Sequence, residues 1–272
     1  MYIGFSIEQD HDGIVMDQRD YVDNLPSYHI EPTRAKQKSD NLTKSENKMY
    51  RSLVGKCNWA VRGTRPDLAF EVVDMSTKFN CATVNDLLRA LKNLRRLRDE
   101  NCVVKYPRLS LEDARIVCVS DVAFGNMNDG VASCAGQVIF LVESGYCCPL
   151  VWRSGKVKRV VKSTLAAEML SLLEGLEHAH FLQAILFEML GTKMKVQAFV
   201  DNKSVVDSIF STKLVDDKRL RIDVAIVKEM VKEGNVEVKW IPGTSMIADV
   251  LTKKGVNPYP IMSLLQSGKF EL

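Results

Sequence analysis

RIVCVSD (Arg115–Asp121) is a run of mostly β-branched residues that stops at an acid. Such a run predicts a buried strand. Two more strand patterns follow, GQVIFLV at 136–142 and LVWR at 150–153, and then a long helical pattern from Ser163 to about Leu190. VQAFVD (196–201) predicts a fourth strand, again ending in an acid, Asp201. DNKSVVDSIF continues as a helix, and a longer one runs from about Lys218 to Lys232. VEVKWIP makes the fifth strand, and a last helix begins near Ile247. The order βββ, α, β, α, α, β, α predicts an α/β (α+β) unit: a mixed five-stranded sheet with helices on both faces.

Upstream, residues 2–9 alternate, with Ile3, Phe5 and Ile7 on one face. Asp12-Gly13 signals a hairpin turn, and 14–17 returns as a second strand. A short helix over 18–25 ends at Pro26, and the polar stretch 26–45 reads as a linker. Helical patterns open at Ser45-Glu46, after Pro66 and after Thr83. The third buries Val84, Leu87, Leu91 and Leu94 and carries Arg89, Lys92 and Arg96 on its other faces. That basic surface reads either as a solvated helix face or as a track for phosphates. The division is then a β-hairpin (1–25), a linker (26–45), a helical connection region (46–110), the five-stranded domain (111–255) and a tail (256–272).

Bulk properties narrow the classes. The chain has 272 residues, is 46% hydrophobic and 26% charged, and has a net charge of +3. No apolar run approaches the roughly 18 residues of a membrane span. The start, MYIGFSIEQD, has no secretory pattern and opens in mid-strand, which suggests a piece of something longer. Seven cysteines with no C-x-x-C pair point to free thiols in a reducing compartment and away from zinc. Trp59, Trp152 and Trp240 sit in apolar segments and read as core.

The helix KSTLAAEMLSLLEGL (Lys162–Leu176) sets Leu165, Met169, Leu172 and Leu176 in one stripe, with Glu168 bordering it. The ordinary reading is a rim glutamate that reaches water. The sharper one is that it faces inward and shares a cation with other acids. Asp121 and Asp201 end strand patterns, and Asp249 lies near the start of the last helix. In open α/β sheets the carboxyl ends of strands form the ligand crevice. If the first and fourth strands are neighbours, Asp121 and Asp201 meet there, and a helix crossing both brings Glu168. Clustered carboxylates need a counter-charge, and oxygen donors suit Mg²⁺ or Mn²⁺. Two such ions, about 3.5–4 Å apart, are the usual clamp for in-line attack on a phosphodiester.

VSDVAFGN, KSTLAAEML, VDNKSVV and IADVLTKKG resemble, in that order, the four acidic motifs of the ribonuclease H domain of copia-type (Pseudoviridae) retrotransposon polyproteins. KMYRSLVGKCNWAVRGTRPDLAFEV resembles the segment joining reverse transcriptase to that domain, most specifically at TRPDLAF. YIGFSIEQDHDGIVMDQRDYV resembles the hairpin after the polymerase active site. The resemblance implies a two-metal ribonuclease that cuts the RNA strand of RNA–DNA hybrids with Mg²⁺, for which Mn²⁺ can substitute. Asp121, Glu168, Asp201 and Asp249 match its catalytic, metal-binding acids. The Y-x-D-D polymerase motif is absent from this sequence, so no polymerase activity is expected. The expected partners are the hybrid and the palm and fingers of the same polyprotein, with no membrane. The expected location is intracellular: cytoplasmic virus-like particles, and also the nucleus.

Two departures stand out. WIPGTSMIAD lacks the loop histidine that many such enzymes carry before the last acid, and Val122 follows the first aspartate where alanine is common. Asn126, Ser163, Thr164 and Asn202 are candidates for reading the substrate's sugars, with turn and cap roles as the ordinary alternative. Lys156, Lys158, Arg159 and Lys162 form a second basic run for phosphates. A DDE integrase is the rival enzyme, but its last acid follows the fourth strand on a helix, whereas Glu168 precedes it here. A catalytically silent, domesticated fragment that binds nucleic acid or protein is the rival outside catalysis.

Overall fold

A computed structural model describes residues 3–127, 130–213 and 215–271. Tyr2, where the first strand pattern begins, lies outside them. The chain opens with strands β1 (Ser6–Gln9) and β2 (Gly13–Asp17), then a short helix α1 (Arg19–Asp23). Ile3 sits in a turn with a left-handed backbone, so β1 starts later than the alternation suggested. The polar stretch that follows contains α2 (Pro32–Ala35) and is tied down by Arg34, which bonds Glu46 and Asp40.

Three helices come next: α3 (Lys44–Gly63), α4 (Ala69–Thr77) after a 3₁₀ turn at Pro66–Leu68, and α5 (Val84–Asp99). The starts of α3 and α5 are encoded locally. Thr43 with Glu46, and Thr83 with Asp86, form complete capping boxes in which side chain and backbone satisfy each other's orphan N–H groups. Strand β3 (Val103–Pro107), not foreseen from the sequence, pairs with β2 and completes a small sheet ordered β1-β2-β3.

The large sheet is built from β4 (Arg115–Met127), β5 (Ala132–Glu143) and β6 (Tyr146–Lys156). Helix α6 (Thr164–Leu190) follows, then β7 (Lys195–Val200), α7 (Lys203–Phe210), α8 (Lys218–Lys232) and β8 (Val236–Trp240). Helix α9 is one short turn, Asp249–Thr252, and α10 (Tyr259–Ser267) closes the chain. The strand order is β6-β5-β4-β7-β8. β4, β7 and β8 run parallel, and β5 is antiparallel to both of its neighbours. This is a ribonuclease H-like mixed sheet, the fold that the motif resemblance implies.

Alternation along β4 supplies both faces, since successive side chains point to opposite sides. Val117 and Val119 enter a core shared with α3, α4, α5 and α10, whose Ile261, Leu264 and Leu265 are buried. Ile116 and Cys118 enter a second core under α6, α7 and α8. The aromatic expectation fails in two places. Trp59 and Trp240 are 38% and 40% exposed, because Trp240 ends the edge strand β8 and Trp59 lies beside Phe5 and Tyr21 on the outer side of α3. Among the described residues no helix is long and apolar enough to cross a membrane.

Candidate active site

The parallel register decides where the acids meet. Val119 of β4 pairs with Phe199 of β7, and there the ladder ends. Continued two residues, the same register sets Asp121 beside Asp201, which directly follows Val200. Asp121 does not end its strand as expected. β4 continues to Met127, still paired with β5, so Asp121 lies just beyond the point where β7 has stopped. Carboxylate oxygens of Asp121, Asp201 and Asp249 all lie within 4.8 Å of one another.

Two glycines allow this convergence. Gly136 lies opposite Asp121 on β5, and a Cβ there would stand 2.7 Å from both Leu251 and Thr252. The missing side chain lets α9 lie on the sheet and bring Asp249 to Asp121. On α6, a Cβ at Gly175 would stand 2.8 Å from Cys118 Sγ. That close approach seats α6 against β4, with the Ser171 hydroxyl donating to the Asp121 carbonyl at 3.0 Å. Ser163 caps the helix through the Ala166 N–H, fixing its first turn.

Glu168 is therefore not a rim residue. It is 6% exposed, and its Oε2 is buried without a hydrogen-bond partner among the described residues. Burial first, and then the charges of Asp121 and Asp201, push its carboxyl up to about 9. It stands beside the three aspartates but outside their 4.8 Å set. Asp121 is 1% exposed, and burial raises it to about 6 against the pull of Lys253 and Thr252. Asp201 is raised by burial and by Asp249, with Lys253 opposing. Its backbone carbonyl accepts the Trp240 indole N–H at 2.9 Å.

Two neighbours have no counterpart in the sequence reading. The Thr252 hydroxyl donates to Asp121 Oδ2, and Lys253 Nζ contacts Asp249 and lies 3.4 Å from Asp121 Oδ2. The i, i+4 spacing of Asp249 and Lys253 was the available signal.

The other candidates divide. Asn126 holds β4 to α9, donating to the Thr252 carbonyl at 2.7 Å and accepting the Cys134 N–H. Ser163 and Asn202 are helix caps, the ordinary roles weighed for them. Thr164, the first residue of α6, is exposed. The phosphate track on α5 needs correcting. Arg89 is paired with Glu71 and Asp74, and Arg96 with Asp67, because α4 and the turn before it present acids to α5. Lys92 alone of the three is exposed and without an ion pair among the described residues. Arg159 is likewise taken up by Asp223 of α8, whereas Lys156, Lys158 and Lys162 are exposed. A basic groove of about 720 Å³ lies instead between α3, α4 and β6, where Arg62, Arg153, Lys156 and Lys158 line it.

No family model matches the chain. It is 26% identical over 214 residues to the retrovirus-related Pol polyprotein from transposon RE2 of Arabidopsis thaliana. It is also 26% identical over 215 residues to that from transposon RE1 of the same plant. The chain is similar to retrotransposon Pol polyproteins. Each match takes in 75% of this chain and 14% of the Pol relative, so the chain spans about one seventh of those relatives' length. Among solved structures, LC11-RNase H1, isolated from compost, is 19% identical with a TM-score of 0.39, over 51% of this chain and 92% of that one. RNase H1 from Halobacterium salinarum is 16% identical with a TM-score of 0.38, over 55% and 98%. LC11-RNase H1 in complex with an RNA/DNA hybrid has a TM-score of 0.39 at 19% identity, over 51% and 94%. Strand order and connections, rather than these scores, carry the fold.

Proposed function

We propose that this chain hydrolyses the RNA strand of RNA–DNA hybrids, as the nuclease part of a retrotransposon polyprotein. One observation carries the reading. Asp121 on β4, Asp201 just after β7 and Asp249 on α9 converge within 4.8 Å, with Glu168, whose Oε2 lacks a partner among the described residues, alongside.

The donor set fits divalent cations. Every donor is a carboxylate oxygen, the acids outnumber the cations that touch them, and Glu168 Oε2 is buried with no hydrogen-bond partner among the described residues. Mg²⁺, or Mn²⁺ in its place, is the ion such hard oxygens suit. Asp121, Glu168, Asp201 and Asp249 would hold it. When bound, two ions would supply the positive charge that eases ionisation of an attacking water and stabilises the leaving oxygen.

The chain's own groups supply the rest. The Thr252 hydroxyl and the Asn126 amide hold α9 and β4 together, keeping Asp249 against Asp121. The Trp240 indole fixes the backbone at Asp201. Arg62, Arg153, Lys156 and Lys158 line a groove suited to a phosphate backbone of any sequence. Thr164, exposed on the first turn of α6, is the remaining candidate for meeting ribose hydroxyls. The palm and fingers of the same polyprotein are the natural macromolecular partner.

The test is a labelled hybrid with Mg²⁺. Hybrid-specific RNA cleavage that disappears in Asp121→Asn supports the nuclease. Tight binding without cleavage, in Mg²⁺ and in Mn²⁺, rejects it in favour of a silent binding fragment.

A further inference from the structure

The acid cluster is lopsided. On its Asp249 side, Lys253 Nζ contacts the Asp249 carboxylate and lies 3.4 Å and 3.5 Å from the two Asp121 carboxylate oxygens. The Thr252 hydroxyl adds a bond to Asp121 Oδ2. Both residues come from the same short turn, α9 and its C-cap, which Gly136 allows onto the sheet. On the other side, Glu168 and Asp201 touch no cation among the described residues, and Glu168 Oε2 is buried without a partner. One half of the site already holds a cation of the protein, and the other does not.

We propose that Lys253 is a resident counter-cation: it takes the place of a divalent ion between Asp121 and Asp249. The free protein then accepts one ion, on the Glu168–Asp121–Asp201 side, and a second only after Lys253 has moved away. This inference rests on the nuclease reading of the site. An ammonium and a divalent ion a few ångströms apart repel, so both do not occupy one carboxylate pair. The lysine has somewhere to go. Its side chain is 37% exposed, on a flexible four-carbon stem, and a phosphate oxygen of the substrate is an equivalent partner for it. Substrate arrival would then exchange a lysine–carboxylate contact for a lysine–phosphate contact and open the second ion position. Hydrolytic competence is thereby coupled to the presence of nucleic acid.

The experiment is a Mn²⁺ titration of the metal-stripped full chain without nucleic acid, read by calorimetry and by counting free Mn²⁺ with electron paramagnetic resonance. Wild type is expected to bind one ion. Lys253→Met is expected to bind two, or to bind the second at least tenfold more tightly, while Lys253→Arg keeps the charge and stays at one. The melting temperature of metal-free Lys253→Met reports folding, and Mn²⁺ should raise it by more than it raises wild type. Two ions of similar affinity on wild type overturn the proposal whatever the variants do. Identical Mn²⁺ stoichiometry and affinity in wild type and a folded Lys253→Met overturn it as well. Wild type that binds no Mn²⁺ and cleaves no hybrid overturns the nuclease reading itself. Two ions with normal cleavage reject only the role of Lys253.

Discussion

Two buried acid sites, Asp67 and the carboxylates around Asp121, are compensated in opposite ways. In the turn between α3 and α4, the Asp67 carboxylate receives Arg65 through two nitrogens, at 2.8 Å and 2.9 Å, and Arg96 through a third at 3.0 Å. Arg65 also donates to the carbonyls of Arg96 and Glu100, so TRPDLAF pins the turn between α3 and α4 to the end of α5. Charge and hydrogen-bond capacity are satisfied within the protein. Beyond the end of β7, four carboxylates stand together, one ammonium contacts two of them, and Glu168 Oε2 has no hydrogen-bond partner among the described residues. A buried acid with matched guanidiniums locks a fold. A buried set with too few cations is stable only when protonated or when a cation comes from outside.

That contrast is testable by treating the two sites alike. The largest effect belongs to Asp121→Asn. Hybrid cleavage should fall by about 10²–10³-fold or more in a labelled-hybrid assay. Its metal-free melting temperature should be no lower than that of wild type, since the change removes a poorly compensated charge. Asp67→Ala should do the reverse. It leaves Arg65 buried without its acid, which costs about 3–5 kcal/mol in urea unfolding. Equal destabilisation by the two substitutions would break the contrast.

Gly136→Ala ranks next. The added methyl meets Leu251 and Thr252, so overpacking should cost about 1–3 kcal/mol in the same urea experiment. Cleavage should fall too, because α9 is pushed away from Asp121.

A different effect separates the two sites by pH. In the folded protein Glu168 holds its proton up to about 9, against an ordinary 4.5, and Asp121 holds its own up to about 6 against 3.8. Between those limits the folded state binds protons that the unfolded state does not. Raising the pH therefore favours unfolding. The melting temperature in a chelator should drop as pH rises from 5 to 9, and the drop should flatten in Glu168→Gln.

The smallest effect concerns phosphate contacts. Lys156→Ala or Lys158→Ala should lower the salt slope of hybrid binding by about one each, measured by fluorescence anisotropy at several salt concentrations. Arg89→Ala should leave that slope unchanged, since its guanidinium is spent on Glu71 and Asp74.

Local signals made much of this legible in the chain. The β-branched run at 115–121, the helix start after Thr83 and the Leu165–Leu176 stripe depend on neighbours a few residues away. The strands of the large sheet and the helices between them followed from these signals, whereas α10 falls in the stretch read as a tail. Strand β3 escaped because a five-residue edge strand has little periodicity of its own and exists through pairing with β2. The length of β4 escaped because its extension past Asp121 depends on β5. The Arg89 and Arg96 surface misled for a related reason. Helical spacing identifies which residues are polar, but the acids that neutralise them lie on α4 and the turn before it.

By itself, the sequence determined a mixed sheet with helices and the four acids as the residues to watch, because periodicity and strand-end position are local properties. Only the tertiary structure decided that Asp121 and Asp201 share a register, that Gly136 and Gly175 admit two helices to the same site, and that Lys253 already stands among the carboxylates. Those facts depend on distances between segments far apart in the chain. Steric fit and charge balance at a buried point are sums over every element that reaches it.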